Sequence, residues 1–157
     1  MNDNQRQQLN QFFVYTFNRI LLTEERVLAR KFPNISVREH HILDAVGELE
    51  STDQNTMSQI AGKLFISVGA LTVAVNTLVT KGYLVRRSRE NDRRIVLVEL
   101  TEAGKAAAQF HGQFHRDMIE QVGEILDDRS ITVLADSLGK ISAFFGDHYI
   151  HTTIKEG

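Results

Sequence analysis

The chain has 157 residues, 42% of them hydrophobic and 24% charged, with one proline and a net charge of −2, as befits one helical domain or one domain with helical arms. It has no cysteine, which excludes disulfides, thiolate nucleophiles, zinc ribbons and cysteine redox sensing. No run approaches the roughly 18 apolar residues of a membrane span and Met1 to Gln8 lacks a signal-peptide core, so a cytoplasmic protein with no membrane partner is expected.

From about Gln5 to Phe32, Leu9, Phe12, Phe13, Phe17, Ile20, Leu21, Val27 and Leu28 recur at largely helical spacing, which predicts a long amphipathic helix. Phe32-Pro33-Asn34 ends it. Ser36 followed by Glu39 has the form of a capping box, opening a second helix through Ile42, Leu43 and Val46. After a loop from Glu50 to Asn55, Thr56 caps a short third helix and Ser67 caps a fourth. The fourth turns Leu71, Val75 and Leu78 inward and stops at Lys81-Gly82. Tyr83 to Arg87 and Ile95 to Leu100 read as two strands around a charged loop, Ser88 to Arg94. Thr101 caps a helix reaching about Leu126, Asp127-Asp128 breaks it, and a last helix runs from about Ser130 to His151. The fold class is therefore mainly α with a small β-hairpin wing. It is a winged helix-turn-helix (36–101) between N- and C-terminal helical arms (5–33 and 102–152), all within one domain, 1–157.

Charge is unevenly spread. Between Thr56 and Leu100 seven Lys/Arg face three acids, a local excess of four positive charges, so the remainder is acidic. A basic module on an acidic scaffold fits nucleic acid. The second helix of a helix-turn-helix enters the major groove by its N-terminal residues. With Leu71, Val75 and Leu78 inside, the outer face of the fourth helix carries Gly69, Thr72, Val73, Asn76 and Thr77. Thr72 and Asn76, one turn apart, can hydrogen-bond bases. Ser58, Gln59 and Ser67 lie near helix N-termini, which favour phosphate. In the hairpin loop Arg89, Arg93 and Arg94 surround Asp92. An arginine there can enter a narrow minor groove, and Asp92 can organise the wing by holding Arg94.

The segment from Thr56 to Gly104 resembles the MarR family of winged-helix regulators. The resemblance is carried by Ser67-Val68-Gly69-Ala70-Leu71-Thr72, by Leu78 through Lys81-Gly82-Tyr83-Leu84-Val85-Arg86, by Asp92-Arg93-Arg94, and by Leu100-Thr101-Glu102-Ala103-Gly104. It implies an obligate homodimer on palindromic double-stranded operator DNA, its half-sites about one helical turn apart. By the same implication the N- and C-terminal arms are dimerisation helices, with Phe12, Phe13, Phe17, Phe144, Phe145 and Tyr149 as the aromatics of their interface.

Within the family the chain looks most similar to repressors of fatty-acid biosynthesis genes. Three patches carry this: Phe17-Asn18-Arg19-Ile20-Leu21 with Glu24-Glu25, Ile35 to Glu39 with His41, and Phe110 to Met118. In that subgroup the implied corepressor is an acyl chain delivered by acyl carrier protein, here in a tunnel lined by Phe17, Leu21, Ile42 and Phe114. No cofactor is required.

The six histidines admit a second reading, a zinc-responsive repressor with His41, His111 and His115 as ligands; the last two are spaced i, i+4 on one helix. From another class, the winged helix could be a protein-interaction module, against which the basic wing argues. No phosphate-binding glycine loop, cysteine nucleophile or ordered Ser-His-Asp set is present, so an enzyme is not expected.

Overall fold

The computed structural model describes residues 1–146. The chain divides into two compact units, Met1–Phe114 and a second that begins at His115. The first unit opens with helix α1 (Asp3–Gln11), a π-helical turn (Phe12–Thr16) and α2 (Phe17–Lys31). The expected single amphipathic helix is thus interrupted. The Phe17 N–H donates to the Phe12 carbonyl five residues back, which inserts one residue into the helical repeat.

Helix α3 (Val37–Glu50) begins where the sequence placed it: Glu39 N–H donates to Ser36 Oγ, and Ser36 N–H to the Glu39 carboxylate. Helices α4 (Met57–Lys63) and α5 (Val68–Thr80) start at Thr56 and Ser67, as expected from their caps. The chain turns through 107° between them, within the range of a helix-turn-helix. Phe65 in that turn has φ 53°, an uncommon conformation for an aromatic residue. Gly82, at φ 81°, ends α5 in the left-handed region that glycine tolerates.

The hairpin pairs β1 (Leu84–Arg89) with β2 (Asp92–Leu100), antiparallel, from Leu84 opposite Leu100 to Arg89 opposite Asp92. Only Glu90 and Asn91 are left in the turn, so most of the expected seven-residue charged loop is strand. An irregularity between Ser88 and Arg89 absorbs the change of register. Asn55 extends the sheet: Val98 N–H donates to the Asn55 carbonyl, Asn55 Nδ2 donates to the Val98 carbonyl, and Thr56 bridges Leu97.

One apolar core holds α3, α4, α5, the hairpin and the start of α6 (Glu102–Ile125) together. Ile42, Leu43, Val46, Ile60, Leu71, Val75, Leu78, Val98 and Ala107 are all buried in it. The Leu-Thr-x-x-Gly motif closes this core. Thr101 N–H donates to the Tyr83 carbonyl, its hydroxyl donates to the Gly82 carbonyl, and Gly104 N–H donates back to Thr101 Oγ1. A Cβ on Gly104 would lie 2.1 Å from the Tyr83 oxygen, so the backbones can meet only through glycine.

The second unit holds the rest of α6 and α7 (Asp128–Phe145), which Asp127 caps by accepting from Ser130 N–H. Helix α7 buries no residue and exposes Ile131, Val133, Leu134, Leu138, Phe144 and Phe145. Tyr149 and the expected helix end at His151 lie outside the described residues. Among the described residues no single helix is long and apolar enough to cross a membrane.

Candidate nucleic-acid interface

Helix α5 is two-faced as its spacing demanded. Leu71, Val75 and Leu78 have no exposed surface, while Gly69, Val73, Asn76 and Thr77 are exposed and Thr72 is half-buried. The threonine hydroxyls donate within the helix, Thr72 to the Val68 carbonyl and Thr77 to the Val73 carbonyl. Towards a partner they therefore offer lone pairs and methyl groups. Val73, 68% exposed on an otherwise polar face, suits contact with a thymine methyl. Ser67 caps α5 by accepting from Ala70 N–H, and Ser58 is exposed in the first turn of α4. Sequence spacing gave no sign of one contact on this face: Arg86 Nη2, from β1, donates to Asn76 Oδ1 at 2.8 Å.

At the wing, Asp92 accepts three hydrogen bonds from Arg94, one from its backbone N–H and two from Nε and Nη2, all between 3.0 and 3.1 Å. The fork holds the Asp92 carboxyl below its usual range and the Arg94 guanidinium above its own. The Arg94 side chain bonded in this way is 91% exposed. Arg93 is exposed beside it. Arg89 differs. As the last residue of β1 it turns back to the loop after α3, donating to the Asp53 carbonyl at 2.8 Å and pairing with the Asp53 carboxylate. It ties the hairpin to that loop while its backbone pairs with Asp92.

A second polar cluster lies within the first unit, between α2, α3 and α6. His111 is fully buried, its Nδ1–H donating to Asp44 Oδ2 and its Nε2–H to Glu24 Oε1, both at 2.6 Å. Burial pulls its pKa down, but the two carboxylates outweigh that and hold it above the ordinary value. His41 Nε2 approaches the same Glu24 oxygen at 3.3 Å. Neighbouring His40 is buried without a protein hydrogen-bond partner, and burial, with His111 nearby, pushes its pKa down to about 4. With the proton on His111 Nε2 displaced, Glu24, His41 and His111 form a donor set that fits a divalent metal. Two imidazole nitrogens face one carboxylate oxygen, and Asp44 orients the far side of His111 as outer carboxylates do around zinc. His115, the third expected ligand, is half-buried on α6 where the second unit begins.

The four residues expected to line an acyl tunnel are placed differently from one another. Leu21 lines a cleft of about 570 Å³ with Asn18, Leu22, Glu25, Ser36, Val37 and Arg38. Phe17 is half exposed, Phe114 is half-buried, and Ile42 is sealed in the core at 1% exposure.

Comparison with known proteins follows the same outline. The profile of the MarR family matches residues 34–95. The regulator PecS of Dickeya dadantii is 30% identical over 115 residues, 69% of each chain. YvnA of Bacillus subtilis, an HTH-type regulator, is 28% identical over 95 residues, 60% of this chain. The chain spans only 58% of YvnA's own length. Among solved structures, Streptococcus pneumoniae FabT in complex with DNA superposes with a TM-score of 0.82 at 31% identity, covering 90% of this chain and 98% of FabT.

Proposed function

The chain belongs to the MarR family, and we propose that it is a transcriptional repressor, not an enzyme, that binds a palindromic operator as a homodimer. The observation that carries this is the wing. Asp92 clamps Arg94 in a fixed, solvent-facing geometry, which suits insertion into the minor groove. Beside it α5 presents small and polar side chains to a major groove. The likeness to FabT, which was solved on DNA, supports the same reading. The local excess of positive charge favours DNA over a protein-interaction module.

For the regulated genes and the effector we propose fatty-acid biosynthesis, with acylated carrier protein as corepressor. The three patches similar to the fatty-acid repressors support this. An acyl chain would enter by the cleft beside Leu21, where Leu22 and Val37 adjoin Asn18, Glu25, Ser36 and Arg38. A specific observation favours a second reading, a zinc-responsive repressor: the convergence of Glu24, His41 and His111 on one point. Bound there, zinc would tie α2, α3 and α6 together through charge neutralisation.

One experiment separates these. Duplexes selected from a randomised pool are titrated with the protein alone, with carrier protein, with acylated carrier protein and with zinc. Tighter binding with the acylated form alone supports the lipid reading. Tightening by zinc alone, abolished in His41→Ala, replaces it with the metal reading. Absence of any DNA binding that weakens with salt would overturn the repressor assignment itself.

A further inference from the structure

We propose that Arg86, on the first strand of the wing, decides which base Asn76 reads, biasing it to guanine. The inference rests on the reading of α5 as the base-contacting helix and deepens it. Arg86 Nη2 lies 2.8 Å from Asn76 Oδ1, joining β1 to the exposed face of α5. A guanidinium has only donors, so the amide atom that faces it is the carbonyl oxygen. The amide NH2 of Asn76 is thereby turned away from Arg86.

This changes what the asparagine can say to a base. A free asparagine reads adenine with both ends, its oxygen accepting from N6 and its NH2 donating to N7. Here the oxygen is already engaged by a cation, and that cation disfavours a second donor such as the adenine N6 amino group. What remains to Asn76 is its amide NH2, a donor only. The major-groove edge with two acceptors on one base is guanine, through O6 and N7. The neighbouring threonines do not compete for that role, because their hydroxyl protons are spent on Val68 and Val73.

Arg86 is a positioning residue in this scheme, and base preference is the readout that a merely structural role would not move. Duplexes are selected from a randomised pool with the wild-type chain, Asn76→Ala, Arg86→Ala and Arg86→Lys, each shown by thermal melting to be folded. The base pair whose preference vanishes in Asn76→Ala is the one Asn76 reads. The wild type is expected to favour guanine over adenine there by roughly fivefold to a hundredfold. Arg86→Ala should reverse the preference towards adenine, and Arg86→Lys, which keeps a donor, should retain guanine with weaker discrimination. The proposal is overturned if the wild type prefers adenine, or if Asn76→Ala changes no position. It is also overturned if Arg86→Ala weakens all sequences equally with guanine still preferred, the mark of a phosphate contact. A wild type that enriches no sequence would instead refute the DNA-binding reading beneath it.

Discussion

At the scale of single residues, orientation and charge can be told apart at the wing. Arg94 is exposed, so its fork with Asp92 adds little to folding; its value is that the guanidinium meets DNA already ordered. Arg94→Ala should weaken operator binding about tenfold or more and lower the salt slope by about one, read by fluorescence anisotropy across a salt series. Asp92→Ala poses the sharper question. It removes a negative charge near the phosphates, which by Coulomb's law alone would tighten binding. If Asp92 works by ordering Arg94, the same variant binds more weakly, by roughly threefold to tenfold, about the cost of ordering one long side chain. A gain in affinity would reduce Asp92 to a bystander.

At the scale of elements, two junctions hold the helix-turn-helix in place. Gly104 seats α6 against the carbonyl of Tyr83 with no room for a methyl group. Gly104→Ala should therefore cost about 1–3 kcal/mol in a urea titration, whereas alanine at exposed Gly123, where nothing lies nearby, should be neutral or slightly stabilising. Glu39 joins α3 to the end of α5, bonding the Ser36 N–H and Lys81 Nζ at 2.8 Å each. Partial burial raises its pKa, but Lys81 and Ser36 together hold it below the ordinary 4.5. Its stabilisation is thus complete above about pH 4.5 and is lost as pH falls through the depressed folded value. Glu39→Gln should be less stable than wild type by about 1 kcal/mol near neutrality, and the gap should close in melts taken below pH 4.5.

These junctions also mark what the sequence could reveal. Caps act over three residues, so Ser36, Thr56 and Ser67 announced their helices, and the 3.6 period announced Leu71, Val75 and Leu78. Contacts between distant segments carry no such spacing. Arg86 with Asn76, Arg89 with Asp53 and Asn55 with Val98 had to be seen in three dimensions. The π turn at Phe12–Thr16 hid for another reason: one inserted residue leaves the apolar content of a helix unchanged and only rotates its face.

At the scale of the whole molecule, exposed apolar surface fits the proposed homodimer. The π turn and α2 expose Tyr15, Phe17 and Leu22, and α7 exposes Val133, Leu134 and Leu138 along most of its length. Monomeric proteins rarely leave so much apolar side chain in water, and an operator with two-fold symmetry needs two recognition helices about one DNA turn apart. A chain of 17.8 kDa should therefore sediment at twice that mass. Adding charge to one arm at a time, Phe17→Glu on α2 or Leu138→Glu on α7, should give monomers that keep the helical signal, because neither side chain belongs to the core of the first unit. Each monomer retains one α5 and one wing, so contact with a single half-site survives while the linkage between half-sites is lost. Affinity for the full operator should then fall a hundredfold or more, the usual size of a lost bivalent term, while affinity for an isolated half-site stays near that of wild type. Equal loss on both duplexes would mean that the arms shape the reading head directly, and a dimer unmoved by either substitution would put the two-fold interface elsewhere.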